Sequence, residues 1–313
     1  MSETKRHILA VGAANMDITC ATAHKLVARD SNPGRIRCAP GGVARNVAEN
    51  LARLGNDVRL LSAVGDDRHG RDLLRNTRSA GVDVGACWVI AGEATSTYVS
   101  LHGPEGEMAV AVNDMSILER ITPERLESHA ERLHHAAALL LECNLSEAAL
   151  QWLLAHARGT PVFVDTVSAF KCPRLLPWLH QVHTLKANRL EAQALWGRPL
   201  RTDAAIKAAA CWLHAQGVQQ VVLSLGERGV YWSTQGGDSG WQAPVPVPVV
   251  NATGAGDALM AGLVHDYLQG APLQRAVRFA IGCAALTLTA AHANHPGLSA
   301  AAVQQLLGGV VPA

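Results

Sequence analysis

The 313-residue chain has almost no net charge: 27 Lys and Arg stand against 26 Asp and Glu, a formal charge of +1. A protein that grips nucleic acid by neutralising phosphates needs a basic surplus, so that class of partner is excluded. No basic block or acidic tail is present either. The seven cysteines are Cys20, Cys38, Cys87, Cys143, Cys172, Cys211 and Cys283, and no two lie within four residues of each other. A C-x-x-C metal or redox unit is therefore missing, and an odd count reads as buried, reduced thiols. The fourteen histidines include the pair His134-His135 but no H-E-x-x-H, so they are not read as metal ligands. Long apolar runs are lacking too. The opening "MSETKRHILAVGAANMD" has one short run before Asn15 and Asp17, too little for a leader or a membrane span. The expectation is a soluble, cytoplasmic protein with no membrane partner. Finally, no Gly-Lys pair occurs, which excludes a P-loop.

What is there is apolar and periodic. At 49% hydrophobic, the chain is ample for a large core. Short apolar runs alternate with longer amphipathic ones. "HILAVGA" (7–13) reads as a first buried strand, "GVARNVAENLARLG" (42–55) as a helix stopped by Gly55, and "VRLLSAVG" (58–65) as a second strand. The alternation returns in "AAALLLECN", "SEAALQWLLAHA", "PVFVDT", "VHTLKAN", "RLEAQALWG", "DAAIKAAACWLHAQG" and "QVVLSLG". It predicts an α/β fold, a parallel sheet covered on both faces, in a single domain over 1–313. Residues 15–40 read as loop-like and polar. Residues 95–113 read as a hairpin turning at Gly103–Gly106. Both are either surface decoration or a small sheet forming a lid, with segments at about 15–40 and 92–113, over the strands' carboxyl ends.

"NATGAGDALMAGL" (251–263) places Gly254, Ala255 and Gly256 before an apolar helix. A helix N-terminus offers free N–H groups and partial positive charge, and small residues let an anion come close. A dinucleotide fingerprint fails here, because its third glycine position is Leu259. A second glycine loop, "SLGERG", offers Ser224, Gly226 and Gly229 to another anionic group. Two such loops suggest an oligophosphate. Asp257 then has two readings. It caps the helix, or it accepts a proton from a hydroxyl that attacks the terminal phosphoryl group.

"NATGAGDALMAGL", "PGGVARNVAENLARLG" (40–55), "GAANMD", "KANRLEA" (186–192) and "SLGERG" together resemble the ribokinase-like (PfkB) family of carbohydrate and nucleoside kinases over essentially the whole chain. The resemblance implies a three-layer αβα sandwich with a mostly parallel sheet of nine or a similar number of strands. It also implies a small β-sheet lid that often forms a homodimer contact, ATP as co-substrate, and Mg2+. Carried over, it makes Asp257 the catalytic base, with Gly254, Ala255 and Gly256 as the anion hole. Asn188, Ser224, Gly226, Gly229 and Thr253 fall to ATP. Glu191 pairs with Asn188 in an N-x-x-E element that holds magnesium through water; the plain alternative for that pair is a helix cap beside a solvated Glu. On the acceptor side it implies Asp17, Gly41, Gly42, Asn46 and Asn144.

Within the family, "ARDSNPGRIRCAPGGVARN" (28–46), "GEATSTYVSLHGPEGEMAVAVNDM" (92–115) and "VFVDTVSAFK" (162–171) resemble the pseudouridine kinases. That implies the 5′-hydroxyl of pseudouridine as acceptor, its base read by polar groups among Asn15, Ser31, Thr97 and Asn113. Any of these four is otherwise an ordinary loop residue. Other sugar or nucleoside kinases, and a non-catalytic nucleoside sensor, are the alternatives. Asn251 stands where many relatives carry an acid of a monovalent-cation site, which puts potassium activation in doubt. "VARN" replaces the lysine version of the sugar loop, which argues against ribose.

Overall fold

A computed structural model describes residues 7–309; residues 1–6, part of the stretch read as lacking a leader, and 310–313 lie outside the described residues. The chain begins with β1 (Ile8–Val11), β2 (Asn15–Thr22), β3 (Gly34–Gly41), α1 (Val43–Arg53), β4 (Val58–Leu61), β5 (Ala63–Gly65) and α2 (Arg68–Ser79). It continues through β6 (Trp88–Ile90), β7 (Thr97–His102), β8 (Met108–Asp114), α3 (Pro123–Glu127), α4 (Ala130–His134), β9 (Ala138–Glu142), α5 (Glu147–His156) and β10 (Val162–Asp165). Then come β11 (Thr184–Asn188), α6 (Arg189–Trp196), α7 (Asp203–Ala215), β12 (Gln220–Ser224), β13 (Val230–Thr234), β14 (Ser239–Gln242), α8 (Ala255–Leu268), α9 (Leu273–Leu288) and α10 (Ala300–Leu307).

Among the described residues the main sheet has eight strands in the order β14-β13-β12-β11-β10-β9-β1-β4. β4 to β12 run parallel, and β13 and β14 join antiparallel. Alternate residues of β1 feed opposite cores, because successive side chains in a strand point to opposite faces. Leu9 and Val11 pack in one core with α5, α6 and α7. Ile8 and Ala10 pack in the other with α1, α8 and α10. These are the helix-covered faces that the alternation predicts.

Two expectations need correction. "VRLLSAVG" is not one strand: β4 ends at the sheet edge at Leu61, and β5 pairs with β6 in a separate two-stranded sheet. The carbonyl of buried Ser62, at the break, accepts from the Trp88 N–H at 2.9 Å. Residues 15–40 are not mainly loop. β2 and β3 pair antiparallel over all eight residues, and β2 pairs with β7 in parallel. With the β7–β8 hairpin they form a four-stranded sheet, β3-β2-β7-β8. In the strands, the polarity that reads as loop belongs mainly to one face. Asp17, Tyr98 and Asn113 share a row on one face, with Thr19 and Ser100 beside them. Ile18, Val99 and Val112 share a row on the other.

Candidate active site

The carboxyl ends of the parallel strands carry the polar residues of the fold. Glu142 ends β9, Asp165 ends β10, Asn188 ends β11 and Ser224 ends β12. Open α/β sheets bind ligands at this edge, and two cavities lie along it. One, of about 360 Å³, is lined by Asp17, Tyr98, Ser100, Asn251, Thr253 and Ala293. The other, of about 300 Å³, has Ser224, Gly226 and Gly229 on one side, Ala255 and Gly256 on another, and apolar walls that include Ile281. The segment 251–257 is the partition. Asn251 and Thr253 face the first cavity, and Ala252, Ala255 and Gly256 face the second.

The partition turns into α8 at Gly254, whose φ of +83° is a left-handed conformation that few other residues adopt. A Cβ there would also sit 1.9 Å from the Ala293 carbonyl oxygen, so that segment closes directly on the turn. The helix has no side-chain cap, and Asp257 does not serve as one. Its Oδ2 instead accepts from the Asn46 amide of α1 at 2.8 Å. Asp257 is thereby removed as a hydrogen-bonding cap of α8. Asn46 is the one hydrogen-bond partner of Asp257 among the described residues, and it leaves Oδ1 open.

Charge at this point is crowded. Burial pushes the Asp257 carboxyl up to about 7 and the nearby Asp165 carboxylate adds to the rise, while Lys186, Asn46 and Arg45 oppose it. Lys186 is buried and ion-paired with Asp165. Its Nζ would lie 3.0 Å from a Cβ placed on Gly256, so an ammonium sits against the turn at Gly254–Gly256. Burial works against that charge, but Asp165, Asp257 and Glu191 outweigh it and raise the Lys186 pKa. Burial also raises Asp17, against the Asn15 amide, which donates to Oδ1 at 2.6 Å, and the charge of Arg45.

The remaining sequence-derived residues divide. Gly41 adjoins Asp17; a Cβ on it would lie 2.2 Å from that carboxyl group. Gly42, φ +98°, passes within 2.4 Å of the Ala13 carbonyl by the same measure. Asn188 caps α6 and forms a reciprocal capping box with Glu191. Glu191 is buried rather than solvated; it accepts from the Asn188 N–H at 2.8 Å, the Asn188 amide at 2.6 Å and the Thr166 hydroxyl. Thr253, read with the nucleotide residues, lines the same cavity as Asp17. Asn113 and Asn144 line a third cavity with Lys171, which donates to the side-chain Oδ1 of Asn144. Thr97 stands in the Met16 row, not the Asp17 row, and gives its hydroxyl to the Thr95 carbonyl at 3.0 Å. Ser31 lies exposed on the β2–β3 connection, outside all three cavities, its N–H on Asp30.

Sequence reasoning passed over Lys186, Asp165, Glu142 and Arg45. Glu142 is fully buried, accepts from the Ala13 N–H at 2.7 Å and the Asn144 N–H at 2.8 Å, and is pushed by burial to about 7. Lys186 and Glu142 each interrupt an apolar strand run at its carboxyl end, and that interruption is the signal they offer. Among the described residues no group of three or more His, Cys, Asp or Glu could hold a metal ion, and no helix is long and apolar enough to cross a membrane.

Over 303 residues the chain is 47% identical to the pseudouridine kinase of Escherichia coli strain K12, covering 97% of both sequences. Among solved structures it resembles a carbohydrate kinase from Agrobacterium tumefaciens, with a TM-score of 0.84, 28% identity and 98% of both chains covered. It has the fold of Arabidopsis thaliana ribokinase complexed with ribose and ATP, with a TM-score of 0.88, 23% identity, and coverage of 97% of this chain and 99% of that one. The family described as pfkB family carbohydrate kinase matches residues 5–300, and the chain belongs to it.

Proposed function

We propose that this protein transfers the γ-phosphoryl group of ATP to the 5′-hydroxyl of pseudouridine. The observation that carries the reaction type is the partition: one segment, 251–256, lines both cavities, and Asp257, held by Asn46, follows it directly. The substrate assignment is supported by the 47% identity to the Escherichia coli pseudouridine kinase.

In this reading the triphosphate lies along Ser224, Gly226 and Gly229, with its terminal group on the N–H groups of Gly254, Ala255 and Gly256. The nucleoside lies on the other side, its ribose hydroxyls donating to Asp17. The 5′-oxygen attacks the γ-phosphorus in line as the bond to the β–γ bridging oxygen breaks, and its proton passes to Oδ1 of Asp257. Lys186 offsets negative charge at the turn. Asn15, Asn113 and Asn144 supply amides for the remaining ribose and base groups, and Asn46, whose oxygen is held by Arg45, offers its second N–H. Ser31 and Thr97 act, in this proposal, only once the small sheet closes over the nucleoside and excludes water.

The residues fit magnesium carried on the phosphates rather than in a protein cage. Both Glu191 oxygens already accept hydrogen bonds, which suits contact through water, and magnesium commonly keeps several waters. When bound there, the ion would neutralise charge on the β- and γ-phosphates. The Asn251 Oδ1 accepts from the Thr253 N–H at 2.9 Å; with a neutral amide where many relatives carry an acid, the reading invokes no potassium site.

The reading treats 1–313 as one cytoplasmic catalytic unit that pairs through the small sheet. Ile36, Val99, Val110 and Val112 of that sheet are exposed, an apolar surface that a second copy would cover. Incubation with ATP, magnesium and pseudouridine tests the assignment: pseudouridine 5′-phosphate must form, and uridine must be turned over far more weakly.

A further inference from the structure

We propose that Arg45 is a positioning residue for the transfer: it sets the amide of Asn46 so that N–H rather than C=O meets Asp257, leaving Oδ1 as the oxygen that takes the proton. This rests on Asp257 being the base. Arg45 is 2% exposed on α1. Its Nη2 and Nε donate to the Asn46 Oδ1 at 2.6 and 3.2 Å, and its Nη1 meets Glu49 at 2.8 Å. A guanidinium only donates, so the Asn46 oxygen must face it and the NH2 must face Asp257. Turned over, the amide would set its oxygen against the carboxylate, two acceptors in contact.

The same guanidinium reaches across 249 residues to the side-chain Oδ1 of Asn294. That leaves the Asn294 amide to donate to the Asn46 carbonyl and to the Asn50 Oδ1, both at 2.9 Å. Asn294 follows Ala293, whose carbonyl closes on Gly254. Arg45 therefore ties the helix that orients the base to the segment that shapes the anion hole. Four groups influence Asp257 electrostatically: Asn46 and Arg45 from α1, Asp165 from the end of β10 and Lys186 from β11. Arg45 is the one that also sets the direction of another's hydrogen bond. The same charge opposes the rise that burial imposes on Asp17, on the acceptor side.

The test compares Arg45→Met with Arg45→Lys in the full chain, using whichever acceptor the wild-type protein turns over fastest, so that a wrong substrate assignment leaves it intact. Arg45→Met should lower kcat about 10- to 100-fold, as misplacement of a reacting group does. It should also move the acidic limb of the pH profile to higher pH, with both KM values near wild type. Arg45→Lys keeps a donor and a charge, so it should recover part of kcat and return the limb toward wild type. Wild-type kcat in Arg45→Met would overturn the proposal. So would a loss of kcat with an unmoved limb and no recovery in Lys. If Arg45→Met does not fold, Arg45→Gln replaces it: Gln presents an acceptor as readily as a donor and must be slower than Lys, and equal rates and limbs for the two would overturn the proposal. The base itself is tested separately by Asp257→Asn; an active Asp257→Asn enzyme removes the underlying reading whatever Arg45 does.

Discussion

The Asn46 amide donates to Oδ2 of Asp257 at 2.8 Å, joining the start of α1 to the first turn of α8 across 211 residues of sequence. One oxygen of the carboxylate is anchored and the other is open. An acid that capped its own helix would be bonded to that helix's backbone, and this one is not.

Asp257→Asn should therefore lower the rate of phosphoryl transfer on the order of a thousandfold, the range for losing a positioned base. The shape of the site and the Asn46 contact to an oxygen are both kept. Calorimetry should find nucleoside binding retained. A variant with near wild-type turnover would remove Asp257 from the chemistry.

The pH dependence follows from the same carboxyl group. Burial lifts it to about 7, and a base must be ionised. Activity should thus be full well above pH 7 and fall as pH drops through that value. A profile of kcat/KM that stayed flat down to the ordinary carboxylate range, about pH 4, would show that no such raised group is needed.

Lys186 and Asp165 give a prediction that separates stability from chemistry. Lys186→Met leaves the buried Asp165 carboxylate unpaired and should cost about 3–5 kcal/mol. Adding Asp165→Asn removes the orphaned charge and should recover most of that loss in a denaturation experiment. Turnover should stay low in the double variant, because the cation beside Gly256 is still missing. Recovery of both together would mean that the pair serves folding alone.

The small sheet makes the fourth. Val99 and Val112 lie in one row of its exposed apolar face. Val112→Lys should convert a dimer to a monomer in sedimentation. A wild-type protein that is already monomeric at micromolar concentration would rule out pairing through this face.

Local motifs made the reaction legible in the sequence. Gly254-Ala255-Gly256-Asp257 and Ser224–Gly229 are each contiguous, and their chemistry is written within a few residues. The parallel strands of the main sheet were legible because buried parallel strands are apolar throughout; β13 and β14, which join it antiparallel, were not read from the sequence. β2 was hidden for the opposite reason: Asn15, Asp17 and Thr19 alternate with Met16, Ile18 and Cys20, and the polar half reads as loop. The Arg45–Asn294 and Glu142–Ala13 contacts span 249 and 129 residues, so no local pattern announces them. The 58–65 run failed as a single strand because its second half leaves the sheet edge, a tertiary event with no mark in periodicity.

The account stands most directly on a competition of acceptors. With ATP and magnesium, kcat/KM should be compared for pseudouridine, uridine and ribose, and the product position assigned by phosphorus NMR. A pocket that bonds the N1–H, free only in the C-linked nucleoside, rejects analogues lacking it by large factors. Pseudouridine 5′-phosphate as the dominant product, with uridine and ribose far behind, is the predicted result. Uridine or ribose turned over as efficiently as pseudouridine, or phosphate placed elsewhere than the 5′-oxygen, would contradict it.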